Sequence, residues 1–201
     1  REIWSIVGRR GGKSRIMALL AVFLAACVVH KLTSGEVGLV MVLAADRKQA
    51  RVVKRYISAF LKALPSLKSL IVNETKDLIE LRGDIAIEIQ TASLASVRGY
   101  TVIGAICDEI AYWPSDEKAA DPDVEILAAL RPGMATIPDA LLLCISSPYA
   151  ARGELWRVHS DYYGQDRDDV LVWRAATRDM NPTVPQSFVD RQLAKDPARA
   201  G

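Results

Sequence analysis

The sequence predicts an α/β fold with a mostly parallel central sheet sandwiched between helices and an antiparallel hairpin appended at its edge. Three observations predict it. Short apolar runs alternate with helical patterns along the chain, as buried strands and their crossover helices do. The runs that end near Val7, Cys107 and Ile145 are each followed by polar residues, and such sheets gather their chemistry at the carboxyl ends of their strands. With 201 residues, 50% hydrophobic and 25% charged, the chain is large enough for one sizeable α/β domain or two small ones.

Taken in order, the run at 3–7 is the first strand. Gly8-Arg9-Arg10-Gly11-Gly12 is a loop, and Lys13-Ser14 opens a long apolar helix predicted over 12–31. Residues 37–45 are nearly all apolar, which suits a strand covered on both faces. Asp46 is placed to cap a second helix whose Ala50, Val53, Ile57, Phe60, Leu61 and Leu64 share a face, and Pro65 ends it. Runs at 70–73, 78–81 and 85–90 read as short strands, with Arg82-Gly83-Asp84 as a tight turn between the last two. After a polar stretch over 91–100 comes the strand 102–107. A charged loop over 116–123 leads to a helix over 123–130, closed by Arg131-Pro132-Gly133. A strand at 140–145, a helix over 153–163, a strand at 170–175 and a short helix over 187–195 complete the chain.

Net charge is +2, which neither supports nor excludes a nucleic-acid partner. Cys27, Cys107 and Cys144 all have apolar neighbours and no metal-ligand spacing, so they are expected to be buried, reduced thiols of a cytosolic protein. His30 and His159 fit no zinc pattern and are expected at the surface. The longest apolar run, 16–29, is too short to span a bilayer and is expected as a buried core helix. No signal peptide is visible. The chain starts almost inside its first strand and stops without a closing element, so it is expected to be part of a longer protein.

Strand, glycine loop, Lys-Ser, helix is the order that a phosphate-binding loop needs. Backbone N–H groups wrap the phosphates and the helix N-terminus adds its positive end. Lys13 would reach the β/γ-phosphates, and the Ser14 hydroxyl would ligate Mg²⁺. The usual first glycine is replaced by Val7, with Gly8 one place later. The plain alternative is a glycine-rich turn before a buried helix. At the end of the 102–107 run, Asp108 would hold Mg²⁺ and Glu109 would deprotonate a water aimed at the γ-phosphate. Otherwise the acidic pair caps the next helix, from Ile110 onward. A carboxylate that activates water favours an ATPase over a kinase, which must exclude water. Ser146-Ser147-Pro148 after the next strand would sense the γ-phosphate and pass movement to the adjoining loop, unless it is an ordinary turn.

Together these motifs resemble the large terminase subunit of tailed bacteriophages or prophages. The resemblance is carried by 8–14, by 102–109 with Ala111-Tyr112-Trp113-Pro114, by Ser146-Ser147-Pro148, and by Thr177-Arg178-Asp179-Met180-Asn181-Pro182, which is similar to the stretch leading out of that family's ATPase domain. It implies an ASCE-type P-loop NTPase fold over 1–201, with ATP and Mg²⁺ as ligands. The family's adenine-binding segment would lie upstream and its nuclease domain downstream. It also implies double-stranded DNA, a portal and a small terminase subunit as partners. The working form would be a pentameric ring in the host bacterial cytoplasm, with no membrane contact. Arg9 matches an arginine acting in cis on the phosphates, with Arg10 as a second candidate. Arg98 matches one that reaches a neighbouring subunit's site, and is otherwise a loop arginine paired with Asp108 or Glu109 or facing solvent.

Asp116, Glu117, Asp121 and Asp123 read as a solvated polar loop rather than a nuclease metal cluster. Arg47, Lys48, Arg51, Lys54 and Arg55 form the densest basic group; they read as a solvated helix face in preference to a DNA contact. Two rival functions stand beside the packaging motor. One is a helicase-like or DNA-repair ATPase. The other is a nucleotide-binding assembly module without hydrolysis of its own.

Overall fold

The structure, a computed structural model, describes residues 1–113 and 122–195. β1 (Glu2–Val7) leads through the glycine loop into α1 (Lys13–Ala26), and β2 (Gly38–Ala44) into α2 (Arg47–Ala63) and the short α3 (Pro65–Lys68). β3 (Ile71–Glu74), β4 (Leu78–Leu81) and β5 (Ile85–Thr91) come next, then β6 (Thr101–Asp108). After α4 (Pro122–Leu130) come β7 (Leu141–Ser146), α5 (Gly153–Tyr162), β8 (Val170–Ala175), α6 (Thr177–Met180) and α7 (Gln186–Lys195).

The strands form one mixed eight-stranded sheet in the order β3-β4-β5-β2-β6-β7-β1-β8. From β5 to β8 every pairing is parallel; β3 and β4 add to the edge antiparallel. β2 is buried along its whole length and β6 along all but its first residue, because helices cover both faces of the sheet centre. Gly83 and Asp84 both take positive φ at the turn between β4 and β5, where the tight connection demands it. Asp46 accepts from the Gln49 backbone N–H at 2.9 Å and caps α2. Leu64, predicted on the inner face of α2, is exposed at its C-cap instead.

Five further expectations are corrected. α1 stops at Ala26 rather than continuing to Lys31. Val28 and Val29 are β-branched and favour helix poorly, and His30 Nε2 donates to Leu24 O at 2.8 Å, satisfying a carbonyl left open by the helix end. Nor is α1 buried all round: Ile16, Leu19 and Phe23, spaced along one face, are about half exposed. Cys27, just past the helix, is exposed; only Cys107 and Cys144 are buried, opposite one another on β6 and β7. The histidines are half-buried rather than superficial: His159 stacks between Trp156 and Tyr163, at ring separations of 6.1 and 4.8 Å. Asp123 is no solvated loop residue. It is buried on α4, where Oδ2 accepts from the Glu154 N–H at 2.7 Å and so satisfies an amide at the open start of α5. Pro114, Asp116, Glu117 and Asp121 lie outside the described residues.

Candidate functional site

The strand order sets β6, β7 and β1 side by side, so residues far apart in sequence share one end of the sheet. Lys13 is the first residue of α1, and its side chain is buried. Its Nζ donates to Val7 O at 2.9 Å and to Ser147 Oγ at 2.8 Å, and lies 3.4 Å from Glu109 Oε1. Glu109 stands just beyond β6 in the left-handed region, with φ 50° and ψ 47°. A non-glycine residue held there is strained, and such strain concentrates at functional sites. Its Oε2 accepts from the Ser147 N–H at 2.9 Å and from Ser146 Oγ at 3.2 Å. The structure therefore brings Lys13, Glu109, Ser146 and Ser147 into one bonded cluster, drawn from three neighbouring strand ends.

The loop above it has Arg10 and Gly12 at positive φ. The N–H groups of Arg10, Gly12, Lys13 and Ser14 donate to no acceptor among the described residues. Open amides beside a helix start form a concavity suited to an anion. The Arg9 and Arg10 side chains are exposed and make no hydrogen bond or ion pair among the described residues. Tyr112 OH donates to Pro148 O at 3.3 Å, and the Tyr112 and Tyr149 rings pack 4.5 Å apart, tying the segment after Glu109 to the loop after Ser147.

Asp108 is buried at the last position of β6. Burial, helped by the Glu109 charge, pushes its carboxyl up to about 6 even though Gln49 Nε2 donates to Oδ2 at 3.1 Å. Gln49 carries no motif signal. It reaches the site because β2, which leads into α2, pairs with β6. The carboxylate of Asp108 and the hydroxyl of Ser14 are hard oxygen donors. They suit Mg²⁺, which keeps most of its waters and needs few protein ligands. No group of three or more acidic, cysteine or histidine side chains able to hold a metal occurs among the described residues. A site built on one carboxylate, one hydroxyl and substrate oxygens is compatible with that.

Asp108→Asn is expected to raise the thermal midpoint of the metal-free protein at pH 8. Above pH 6 the native carboxylate is charged in a place that disfavours charge, whereas in the unfolded chain, at an ordinary value of about 4, ionisation is free. Stability is therefore lost as pH rises from about 4 to about 6, and the lost part is of order 3 kcal/mol. The gain from the substitution should shrink as pH falls through that window. Thermal scans of both proteins from pH 4 to pH 8 check this, and a pH-independent difference would remove burial as the cause.

Arg98 is exposed, in the segment between β5 and β6, and makes no hydrogen bond or ion pair among the described residues. It forms no ion pair with Asp108 or Glu109 in the structure. The basic group on α2 is largely paired with the β3–β4 hairpin: Arg47 and Arg51 with Asp77, and Lys54 with Glu74.

No family model and no curated protein matches the sequence. Solved structures do match the fold. The large terminase ATPase domain of Thermus phage P74-26 superposes with a TM-score of 0.73 at 16% identity, over 98% of this chain and 84% of that one. This chain has the fold of phage large terminase ATPase domains. The HK97 bacteriophage large terminase matches with a TM-score of 0.63 at 22% identity, over 86% of this chain and 34% of that one. A large terminase from a thermophilic bacteriophage, solved in complex with ADP, matches at 0.68 and 15% identity, over 96% of this chain and 44% of that one. The chain thus spans less than half the length of these last two terminases. No helix among the described residues is long and apolar enough to cross a membrane.

Proposed function

We propose that this chain is the ATPase domain of a phage or prophage large terminase and that its ATP hydrolysis drives double-stranded DNA into a procapsid. The observation that carries the reading is the cluster of Lys13, Glu109, Ser146 and Ser147, joined at 2.8–3.4 Å beneath a loop of open amides. The terminase ATPase fold, including one neighbour solved with ADP, supports it. The strand order and the loop between β1 and α1 support a P-loop NTPase of the ASCE type.

In this reading the amides of the loop and the Lys13 ammonium bind the β/γ-phosphates. Ser14 and Asp108 hold Mg²⁺, which when bound offsets charge on the phosphate oxygens. Ser146 and Ser147 fix the Glu109 carboxylate, which takes the proton of a water as its oxygen attacks the γ-phosphorus. The bond from phosphorus to the bridging oxygen breaks, releasing ADP and phosphate. Ser147 also touches Lys13, so loss of the γ-phosphate would disturb the Ser146-Ser147-Pro148 segment and, through Tyr112 and Tyr149, the loop beyond it. Arg9 or Arg10 acts on the phosphates in cis. Arg98 acts in trans within a ring of copies, with the pentamer, portal and small subunit completing the motor in the host cytoplasm.

A site completed by a neighbour's arginine predicts that phosphate release per chain rises with protein concentration, with or without DNA. A phosphate-release titration measures it. Zero turnover at every concentration, with nucleotide still bound, would instead favour a binding module. A constant non-zero rate would remove the shared site.

A further inference from the structure

The segment after β8 lies against the glycine loop. Thr177 Oγ1 donates to Arg9 O at 2.9 Å, and Asn181 Nδ2 donates to Arg10 O at 2.9 Å. The Asn181 amide is unambiguous in orientation, because its Oδ1 accepts from both the N–H and the hydroxyl of Thr183. α6 is itself fixed, with Asp179 Oδ2 accepting from the Ala176 N–H at 3.2 Å. The approach is close: a Cβ on Gly8 would collide with Thr177 Oγ1, and one on Gly11 would stand 2.5 Å from Val7 Cγ1 and 3.4 Å from Met180 Cβ. The glycine one place later than the usual motif is therefore explained by the packing of α6.

We propose that Thr177 and Asn181 are positioning residues for the nucleotide's phosphates: Thr177, by holding the Arg9 carbonyl, keeps the open Arg10 N–H turned to the ligand, and Asn181, by holding the Arg10 carbonyl, keeps the turn that shapes the loop around it. The inference rests on the proposed ATP site and deepens it. In a trans peptide the C=O and the next N–H point in opposite directions, and the described chain has no cis bonds. Anchoring Arg9 O to Thr177 therefore directs the Arg10 N–H away from α6. Anchoring Arg10 O leaves the Gly11 N–H to close the turn onto Gly8 O at 3.2 Å. A loop free to flip these planes would present carbonyl oxygens to an anion and would lose affinity for it.

The test uses Thr177→Val, which keeps the shape and removes the donor, with Thr177→Ser as the conservative control and Asn181→Ala as an independent second variant. Dissociation constants for ATP and ADP are measured by fluorescence of labelled nucleotides, with KM and kcat from phosphate release and the thermal midpoint alongside. One lost hydrogen bond in the anchor corresponds to nucleotide binding and KM worsened by about five- to tenfold. The expected result is that loss in Thr177→Val and Asn181→Ala, kcat within about twofold of the unaltered protein, and near-normal binding in Thr177→Ser. A variant that loses thermal stability but binds nucleotide normally when folded would show a packing role only and overturn the inference. Should Thr177→Val not fold, Asn181→Ala carries the same two outcomes. Nucleotide binding that is lost in Lys13→Ala but intact in Thr177→Val and Asn181→Ala would sink this inference and leave the ATP site standing. No nucleotide binding by the unaltered protein would sink both.

Discussion

Glu109→Gln is expected to bind ATP within a few-fold of the unaltered protein and to lose turnover by about 10²–10⁴-fold, the usual worth of a positioned general base. The substitution can keep two of the carboxylate's three contacts. The Gln carbonyl oxygen would still accept from the Ser147 N–H and Ser146 Oγ, as Oε2 of Glu109 does at 2.9 and 3.2 Å. Lys13 would keep Val7 O and Ser147 Oγ but exchange its ion pair at 3.4 Å for the facing Gln NH₂, another donor. What disappears is the group able to take a proton. Single-turnover phosphate release beside equilibrium ATP binding measures both halves. Residual hydrolysis near the original rate would take the base role from Glu109. A parallel collapse of ATP binding would mean that its carboxylate serves chiefly to place Lys13.

Much of the fold was legible because its central strands are covered on both faces. β2, β6 and β7 are continuous apolar runs for that reason, and the hairpin announced itself through Arg82-Gly83-Asp84. What failed depended on partners distant in sequence. The apolar run 16–29 does not say which face of α1 is covered, and Ile16, Leu19 and Phe23 stay about half exposed. Asp123 sits at the end of a charged stretch, yet the open amide of Glu154, brought beside it by the fold, buries it. Lys13, Asp108 and Glu109 were visible because short motifs carry their own chemistry. Gln49 was not, since only the pairing of β2 with β6 gives it Asp108. α6, at four residues, is too short to leave a helical period, so its hold on the loop had no pattern to betray it.

Arg98→Ala is expected to lower turnover by about 10³–10⁵-fold, the range for an arginine that neutralises charge on a transferring phosphoryl group, while each chain still binds ATP. Its exposed side chain has no partner among the described residues and is not drawn into its own Lys13–Glu109 cluster, which suits a role toward another copy. A mixing experiment decides the matter. Chains bearing Arg98→Ala keep an intact Glu109 but offer no finger; chains bearing Glu109→Gln offer Arg98 but have no base. Each alone should be nearly inactive. Mixed at a concentration where copies associate, a Glu109→Gln chain would supply Arg98 to the competent site of an Arg98→Ala neighbour, and hydrolysis should return in proportion to such mixed contacts. If Arg98 acted within its own chain, or only held its loop, no mixture could restore activity, because no chain in it would have both residues.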